Sequence, residues 1–369
     1  MTEGATRTRR PPVLDPGLSL GWDDGPLDGL SCLLRCVESA LRAEGFDNLE
    51  IAQALAVPLD LRGDRRKSSW FRHGRLDWRN AVDGHEHWDE FTALVASGTP
   101  CVLMPDRYYW PGDEFEGVQH FLDHMVLAVA YDGEVLEVLD TDAPPADGYR
   151  RRIPVTPDVV RGCCRFATVH FTPPRDDAAA LRATLLEPTA VALAEDLPAL
   201  RAVARRWRRD GLTGPAARAL HVVVLGAVQP SLFLAAMAVE QAYPTLAAEL
   251  LAASRAAQKL GRTLIGAHRW AGAQADDTSV YAPVLGVFEA CEAALARLSD
   301  ELHTHLGLPV PLPDAARDDE GVWRRILRNQ AWCYADRVAP ADQHRDSAQA
   351  GEQRDEQPAG GRRDEERQA

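Results

Sequence analysis

Residues 30–45 read LSCLLRCVESALRAEG, and their apolar positions recur at 33/34, 37 and 40/41. This spacing is typical of an amphipathic helix. Ser31 is a suitable N-cap, and Gly45 suits the position just beyond the C-terminus. Cys32 is therefore predicted in the first turn, where unpaired backbone N–H groups and the positive end of the helix dipole favour a thiolate. The segment predicts a helix that presents a nucleophilic cysteine.

Residues 123–140 read DHMVLAVAYDGEVLEVLD, with two apolar runs on either side of an Asp132-Gly133 turn. This pattern predicts a β-hairpin. A two-residue loop would pair His124 with Thr141 and turn Asp140 to the opposite face. A three-residue loop with a bulge at Gly133 would place His124 directly across from Asp140, with both side chains on one face. We favour the bulged register because the carboxylate can then hold the imidazole.

The chain thus offers a thiol nucleophile, a general base and an orienting carboxylate in the order Cys32, His124 and Asp140. Alternatives remain. Cys36 lies one turn further into the helix and is expected to pack in the core, which is also the structural alternative for Cys32. His120 is a rival base. Asp142 is a rival carboxylate, because an offset of two residues keeps it on the same face of a strand.

A family resemblance rests on a larger set of features. They are Cys32 with Ala40-Leu41 and Gly45, the run Pro100-Cys101-Val102-Leu103-Met104, His124 with its apolar strand, the Tyr131-Asp132-Gly133 turn, and Asp140. Together they resemble the N-terminal domain of the butirosin biosynthesis protein H family and the related papain-like, C39-peptidase-like acyltransferases. The resemblance covers about residues 20–175, under half of the chain. It implies a papain-like α+β domain.

The resemblance also implies a function in specialised metabolism, such as antibiotic biosynthesis. Cys32 would take an acyl group from an acyl-carrier-protein thioester and pass it to a small amine, with His124 as base and Asp140 as orienter. No bound cofactor or metal is expected, because the carrier protein supplies the phosphopantetheine arm. One alternative is a C39-like cysteine peptidase or amide hydrolase that uses the same residues on water. The other is a catalytically inactive papain-like scaffold.

The scaffold alternative has a specific motivation. Papain-like enzymes usually carry an oxyanion-hole Gln a few residues before the Cys, whereas this chain has Asp24-Gly25-Pro26-Leu27-Asp28. An ionised Asp cannot donate a hydrogen bond. The oxyanion would therefore need the Cys32 N–H and a second donor, for which a backbone group near Leu30 and the Trp22 indole are candidates.

The length of 369 residues allows two domains with their own cores. Composition changes near 172–178, beyond which the chain is rich in Ala, Leu and Arg with helical periodicity and Gly or Pro breaks. The breaks fall at 211–215, 230, 244, 261 and 309–313. We therefore predict a papain-like catalytic domain at 21–175 and an α-helical domain at 176–337. The ends, 1–20 and 338–369, are expected to be disordered.

The net charge and the cysteines indicate which partners and which cellular compartment to expect. A net charge of −14 argues against nucleic acid as the main partner. Seven cysteines without a paired spacing, and an N-terminus without an apolar leader, predict a reduced, cytoplasmic protein. The uncharged run 219–239 is long enough to span a bilayer, but the Gln229-Pro230-Ser231 break favours two buried helices and no membrane partner. An apolar helix pair also suits an interface in a homo-oligomer.

Two further patterns have a functional and a structural interpretation. The basic stretch 61–75 suggests a docking surface for an acidic carrier protein, with Arg65, Arg66 and Arg72 as its candidate residues. A second basic cluster, on a predicted helix, contains Arg201, Arg205, Arg206, Arg208 and Arg209. A solvated surface is the alternative for both clusters.

The His85-x-His87 pair resembles a metal motif, but no third ligand has a recognisable spacing, so an exposed loop is expected.

Overall fold

The computed structural model describes residues 10–15, 18, 30–59, 70–118, 120, 122, 124–271 and 278–309. It has an α+β architecture, in which an antiparallel sheet with helices is followed by a helical region. The change from strand to helix falls between Phe171 and Ala178, where the composition changes. The predicted disordered ends lie outside the described residues, apart from a short N-terminal segment.

Seven strands form one antiparallel sheet in the order β1-β2-β7-β3-β4-β5-β6. The strands are β1 (Trp70–Phe71), β2 (Gly74–Asn80), β3 (Cys101–Met104), β4 (Val126–Tyr131), β5 (Val135–Leu139), β6 (Arg150–Pro154) and β7 (Arg165–Phe171). The central strand β3 is buried along its whole length, and its side chains alternate between the two faces. Both faces of the sheet are therefore covered.

Helices cover the two faces in pairs. One face carries α1 (Cys32–Ala43) and α2 (Asn48–Leu55), whose apolar side chains share a core with Val102 and Leu127 of the sheet. The other face carries α3 (Trp88–Ala96) and α4 (Pro157–Gly162) over a second apolar cluster. The first arrangement brings the N-terminus of α1 to the sheet.

The predicted cysteine helix is present. It starts at Cys32 behind Ser31, although the Ser31 side chain makes no capping hydrogen bond. Its C-terminus is a Schellman motif, since Gly45 has a left-handed φ of +86° and donates its N–H to Arg42, while Phe46 donates to Leu41. The C-terminal boundary thus follows from the backbone freedom of Gly45.

The predicted hairpin is present, but neither predicted register is correct. Tyr131 pairs with Leu136 across a four-residue turn, in which the Asp132 carboxylate accepts the N–H groups of Glu134 and Val135. The bulge lies at Val129, and not at Gly133. Beyond it, Leu127 pairs with Leu139. One further step puts Val126 opposite Asp140, and two residues before Val126 lies His124. The side chains of His124 and Asp140 are thus diagonal neighbours that point to the same face of the sheet.

The helical region contains α5 (Ala178–Leu181), α6 (Glu187–Asp210), α7 (Gly214–Val223), α8 (Gln229–Val239), α9 (Pro244–Ala271) and α10 (Ala282–Leu306). Breaks occur near 211 and 244 as predicted, but Pro230 and Gly261 do not interrupt the helices. Pro230 follows a π-helical turn at Val224–Val228. A proline lacks an N–H and its ring crowds the preceding turn, and the wider π turn accommodates both defects.

The sheet region and the helical region share one apolar cluster. Helix α2 packs against α8, where the Gln53 side chain donates to the carbonyl of Ala238 at 3.5 Å. Helix α8 is a core element, since all of its residues except Met237 are buried. By length and composition alone, the stretch Ser279–Leu306 is apolar enough to cross a membrane. Its helix α10 packs against α6 and α9.

Candidate active site

Cys32 is the first residue of α1 and is partly exposed. The preceding backbone at Ser31 is extended, so the chain enters the helix directly at the cysteine. This position places the thiol beside the unpaired N–H groups of the first turn. Cys36, one turn further along, is buried and its thiol faces the carbonyl oxygen of Met125 at 3.7 Å. Burial raises the pKa of Cys36 well above its usual value, so Cys36 is a core residue.

His124 lies two residues before β4 and is buried. Its Nε2 is 2.8 Å from Oδ1 of Asp140, and a side-chain hydrogen bond joins the imidazole to Cys32. Because Nε2 faces Asp140, Nδ1 is the nitrogen left for the thiol. Burial alone would lower the pKa of His124, but the hydrogen bonds to Asp140 and Cys32 hold that pKa well above its usual range. Both contacts therefore stabilise the positive charge that the ring gains when it takes a proton.

Asp140 is completely buried one residue beyond β5. Its Oδ1 accepts the backbone N–H of Asp142 at 2.9 Å as well as the imidazole, and its Oδ2 accepts Nη1 of Arg151 at 2.9 Å. Burial alone would raise the pKa of Asp140, but the hydrogen bond and charge of His124, together with the other two donors, lower it to about 2. Asp140 is thus held as a carboxylate.

Asp142, the rival carboxylate, does not replace Asp140. Its side chain is 61% exposed, and its nearer oxygen is 3.8 Å from Nε2 of His124. Its backbone N–H instead supports Asp140. The buried, directly bonded carboxylate orients the imidazole more rigidly than an exposed one.

Arg151 belongs to the site, although the sequence analysis did not single it out. It lies on β6 opposite Val138, donates Nη1 to Asp140, and donates Nη2 to the carbonyl of Pro111 in the β3–β4 connection. One guanidinium thereby joins three segments of the fold. The run Arg150-Arg151-Arg152 was the available signal, but only strand pairing shows which of the three faces Asp140.

His120, the rival base, has a carboxylate of its own. Its Nδ1 is 2.7 Å from Oδ2 of Asp106, which is completely buried just beyond β3. The imidazole also stacks on Tyr108, with ring centroids 4.3 Å apart and planes inclined by 18°. His120 and Asp106 thus form a His–Asp pair separate from that of His124 and Asp140, and it is His124 that contacts Cys32.

One group of described residues has the composition of a metal site. The side chains of His124, Asp140 and Asp142 place ligand atoms within 4.8 Å of one another. However, Asp140 already accepts three hydrogen bonds, one of them from the cationic Arg151. A divalent cation would have to displace those donors and would be repelled by the guanidinium. The arrangement fits a hydrogen-bond relay better than a metal site.

The histidine motif does not form a metal pair. His85 is exposed, as expected of a loop, but His87 is buried and packs its ring 5.0 Å from that of Phe166. The two imidazoles thus lie in different environments. Nδ1 of His87 donates to the Gly84 carbonyl oxygen, 3.2 Å away, which fits a packing role.

The basic clusters are only in part available for docking. Arg72 is 11% exposed, and its Nη2 is 2.7 Å from Asp176, so the structure assigns it to an internal ion pair and not to a carrier surface. Arg65 and Arg66 lie outside the described residues. On α6, Arg201 and Arg208 pair with glutamates of α10. This helix cluster therefore fits the solvated-surface interpretation.

A cavity of about 250 Å³ lies between α2, α5 and α8. Gln53, Asp176 and Gln241 are among its lining residues. None of Cys32, His124 and Asp140 lines it, so this space is separate from the cysteine site.

Residues 24–28, where papain-like enzymes usually carry the oxyanion-hole Gln, lie outside the described residues, as does the candidate donor Trp22. A comparison of the sequence with known protein families finds no matching family, and a comparison with curated proteins finds no relative.

Proposed function

We propose that this chain is a papain-like cysteine acyltransferase, which moves an acyl group from a carrier-protein thioester to an amine in specialised metabolism. The observation that carries the proposal is the relay of Cys32, His124 and Asp140. A cysteine at a helix N-terminus faces an imidazole whose second nitrogen binds a buried carboxylate. This constellation is the one that activates a thiol for covalent catalysis.

The relay accounts for the first half of the reaction. The Cys32 thiol gives its proton to His124, and the sulfur attacks the thioester carbonyl. The tetrahedral intermediate collapses, its bond to the carrier thiol breaks, and His124 returns the proton to that leaving sulfur. Asp140 keeps its negative charge throughout and stabilises the imidazolium. The acyl group then rests on Cys32.

In the second half, an amine attacks the acyl-enzyme carbonyl. His124 takes a proton from the attacking nitrogen and gives it to the Cys32 sulfur as the carbon–sulfur bond breaks. Water in place of the amine would give hydrolysis by the same residues. A carrier thioester as donor and a small amine as acceptor are proposed from the resemblance of the cysteine and hairpin segments. A reduced, cytoplasmic location is part of the same proposal.

Trapping the acyl-enzyme tests this function. The protein is incubated with a small acyl thioester of N-acetylcysteamine, and intact-protein mass spectrometry measures the added acyl mass. We expect one acyl group on the unchanged protein and none on Cys32→Ala. Cys36→Ala is the matched control, since it removes a thiol one helical turn away, and it should keep the adduct.

The outcomes separate the candidate functions. Discharge of the adduct by an added amine, faster than by water, supports the transferase, whereas discharge by water alone supports the hydrolase. An adduct that persists in Cys32→Ala would contradict the choice of nucleophile. Absence of any adduct on the unchanged protein, with the carrier-bound thioester also tested as donor, would favour the inactive scaffold.

A further inference from the structure

Amide formation from an alkylamine raises a proton problem that the relay alone does not solve. At neutral pH such an amine is an ammonium ion, because its pKa is about 10. Two protons must leave the nitrogen before the amide is complete. His124 can carry only one of them, since it must pass that proton to the Cys32 sulfur to free the thiol. The other proton needs a second acceptor.

The pair of His120 and Asp106 has the properties of such an acceptor. The Asp106 carboxylate is completely buried and also accepts the N–H of Tyr108 at 3.1 Å, while the Asp106 N–H donates to Gly162. It is therefore fixed at both ends of the residue. This carboxylate holds Nδ1 of His120 and can stabilise a positive charge on the ring.

The outer side of the His120 ring is accessible. The side chain is 16% exposed, and the described part of the chain supplies no hydrogen-bond partner for Nε2. Tyr108 stacks on one side of the ring, and Tyr109 meets it edge-on at 5.4 Å between centroids. The tyrosines fix the ring plane. A proton taken at Nε2 can then pass to solvent.

Three features bring this pair to the end of the sheet that carries His124 and Asp140. Leu103 of β3 pairs with Val126 of the antiparallel strand β4. Asp106, which follows β3, and His124, which precedes β4, therefore lie at the same end of the two strands. His120 is four residues from His124, a stretch that reaches at most about 14 Å. The connection that carries His120 is also joined to Asp140, because Arg151 binds both Asp140 and Pro111.

We propose that His120, held by Asp106, is a second general base that deprotonates the acceptor ammonium ion. The inference rests on the proposed transferase function and adds a specificity for primary alkylamines. One ammonium proton goes to Nε2 of His120, and the neutral amine attacks the acyl carbonyl. The second nitrogen proton passes through His124 to the Cys32 sulfur. The products are the amide, the free thiol and protonated His120, which releases its proton to water.

The experiment measures the two half-reactions separately, with the acyl thioester of N-acetylcysteamine as donor and n-propylamine as acceptor. In His120→Ala, formation of the Cys32 adduct should stay within about twofold of the unchanged protein. Discharge of the adduct by n-propylamine at pH 7 should fall about 100-fold, the lower end of what a general base contributes. Added imidazole should restore part of the lost rate.

The pH dependence supplies a signature that a structural role would not produce. The loss of discharge rate in His120→Ala should shrink as the pH approaches the pKa of the amine, about 10, because more of the amine then arrives without its extra proton. Among the described residues, the groups that face the ring are Asp106, Tyr108 and Tyr109, and Arg161 lies over the Tyr109 ring. His120→Gln is the second variant, since its amide can still donate to Asp106 and hold the segment in place. His85→Ala, which alters an exposed histidine, should change neither half-reaction.

An unchanged rate of discharge in His120→Gln would overturn the inference. An equal loss of both half-reactions without rescue by imidazole would do the same, because it would show a structural role. An adduct that no amine discharges in the unchanged protein would also overturn it. Failure of the proposed function is distinguishable because it appears in the unchanged protein, as the absence of any adduct or as an adduct that only water discharges. Failure of the inference alone appears in the His120 variants, while an amine still discharges the adduct of the unchanged protein.

Discussion

At the scale of single residues, the site depends on which polar groups are buried together. Asp140 can remain a carboxylate at full burial because an imidazole, a backbone N–H and a guanidinium surround it. Arg151 is therefore as much a part of the site as the residue that it holds. Its contact with Pro111 extends the network to the connection between β3 and β4.

Removal of Arg151 should weaken the fold and change its response to acid. Arg151→Gln should lower the free energy of unfolding by about 2 kcal/mol, because it leaves a buried carboxylate oxygen without its charged donor. The pKa of Asp140 in the folded protein, about 2, should rise toward its unfolded value. Urea unfolding at several pH values measures both effects.

The sign follows from linkage. A carboxyl with a depressed pKa in the folded state stabilises the fold above its unfolded pKa of about 4, and this contribution is lost as the pH falls toward 2. Since Arg151→Gln reduces the depression, stability should depend less on pH between 4 and 2. Arg152→Gln is the matched control. Arg152 is 71% exposed, and its ion pair with the exposed Asp132 carboxylate is weak because the two groups are 3.9 Å apart in solvent. The substitution should change stability by less than about 0.5 kcal/mol.

At the scale of elements, the sequence predicted those whose signals are local. The cysteine helix follows from its periodicity and Gly45, and the strand at Arg165–Phe171 follows from its apolar run. The register of the hairpin does not follow from local signals in this way, since the Asp132 side chain and the bulge at Val129 set it together. Periodicity also cannot show that the polar Arg35 and Glu38 of α1 are buried as an ion pair.

The same reasoning explains what was missed at the site. The contact of His124 with Asp140 was predicted because both residues belong to one hairpin. Arg151 and Asp106 come from other strands, and the order of strands in a sheet is not a local property of the sequence. His120 was considered only as a rival base because its partner Asp106 follows β3, outside the hairpin that holds His124 and Asp140.

One close approach between elements can be tested at Gly84. A Cβ atom there would lie 1.8 Å from the carbonyl oxygen of Val160 in α4. Gly84→Ala should therefore force backbone movement and lower the free energy of unfolding by more than about 2 kcal/mol. Chemical denaturation with a circular-dichroism signal measures the change.

Gly286→Ala is the control for the intrinsic effect of alanine. Gly286 lies within α10, and a Cβ atom there meets nothing within 4 Å. Alanine should stabilise this helix by about 0.5 to 1 kcal/mol, because it loses less backbone entropy on folding than glycine. Equal effects of the two substitutions would contradict the close packing of Gly84 against α4.

At the scale of the whole molecule, the two regions are joined by a buried interface. A single apolar cluster runs from α1 and α2 into the helical region, and buried polar contacts also cross between the two regions. One of them is the buried Thr189 hydroxyl, which accepts the backbone N–H of Leu59 at 3.2 Å. The cysteine helix therefore shares its core with helices more than 150 residues away in the chain.

This shared core predicts that the two regions unfold together. Amide hydrogen exchange in β4 and in α8 should report the same free energy of opening, because neither element can be exposed without breaking the common cluster. Thr189→Val tests the coupling. It keeps the side-chain shape but leaves the Leu59 N–H without its partner, at a cost of about 1 to 3 kcal/mol. Protection in both elements should fall by the same amount.

Thr304→Val is the control, since the Thr304 hydroxyl donates to Asp300 within its own exposed turn, and it should leave protection in β4 unchanged. Loss of protection in α8 alone after Thr189→Val would instead show that the helical region opens independently of the sheet that carries the cysteine site.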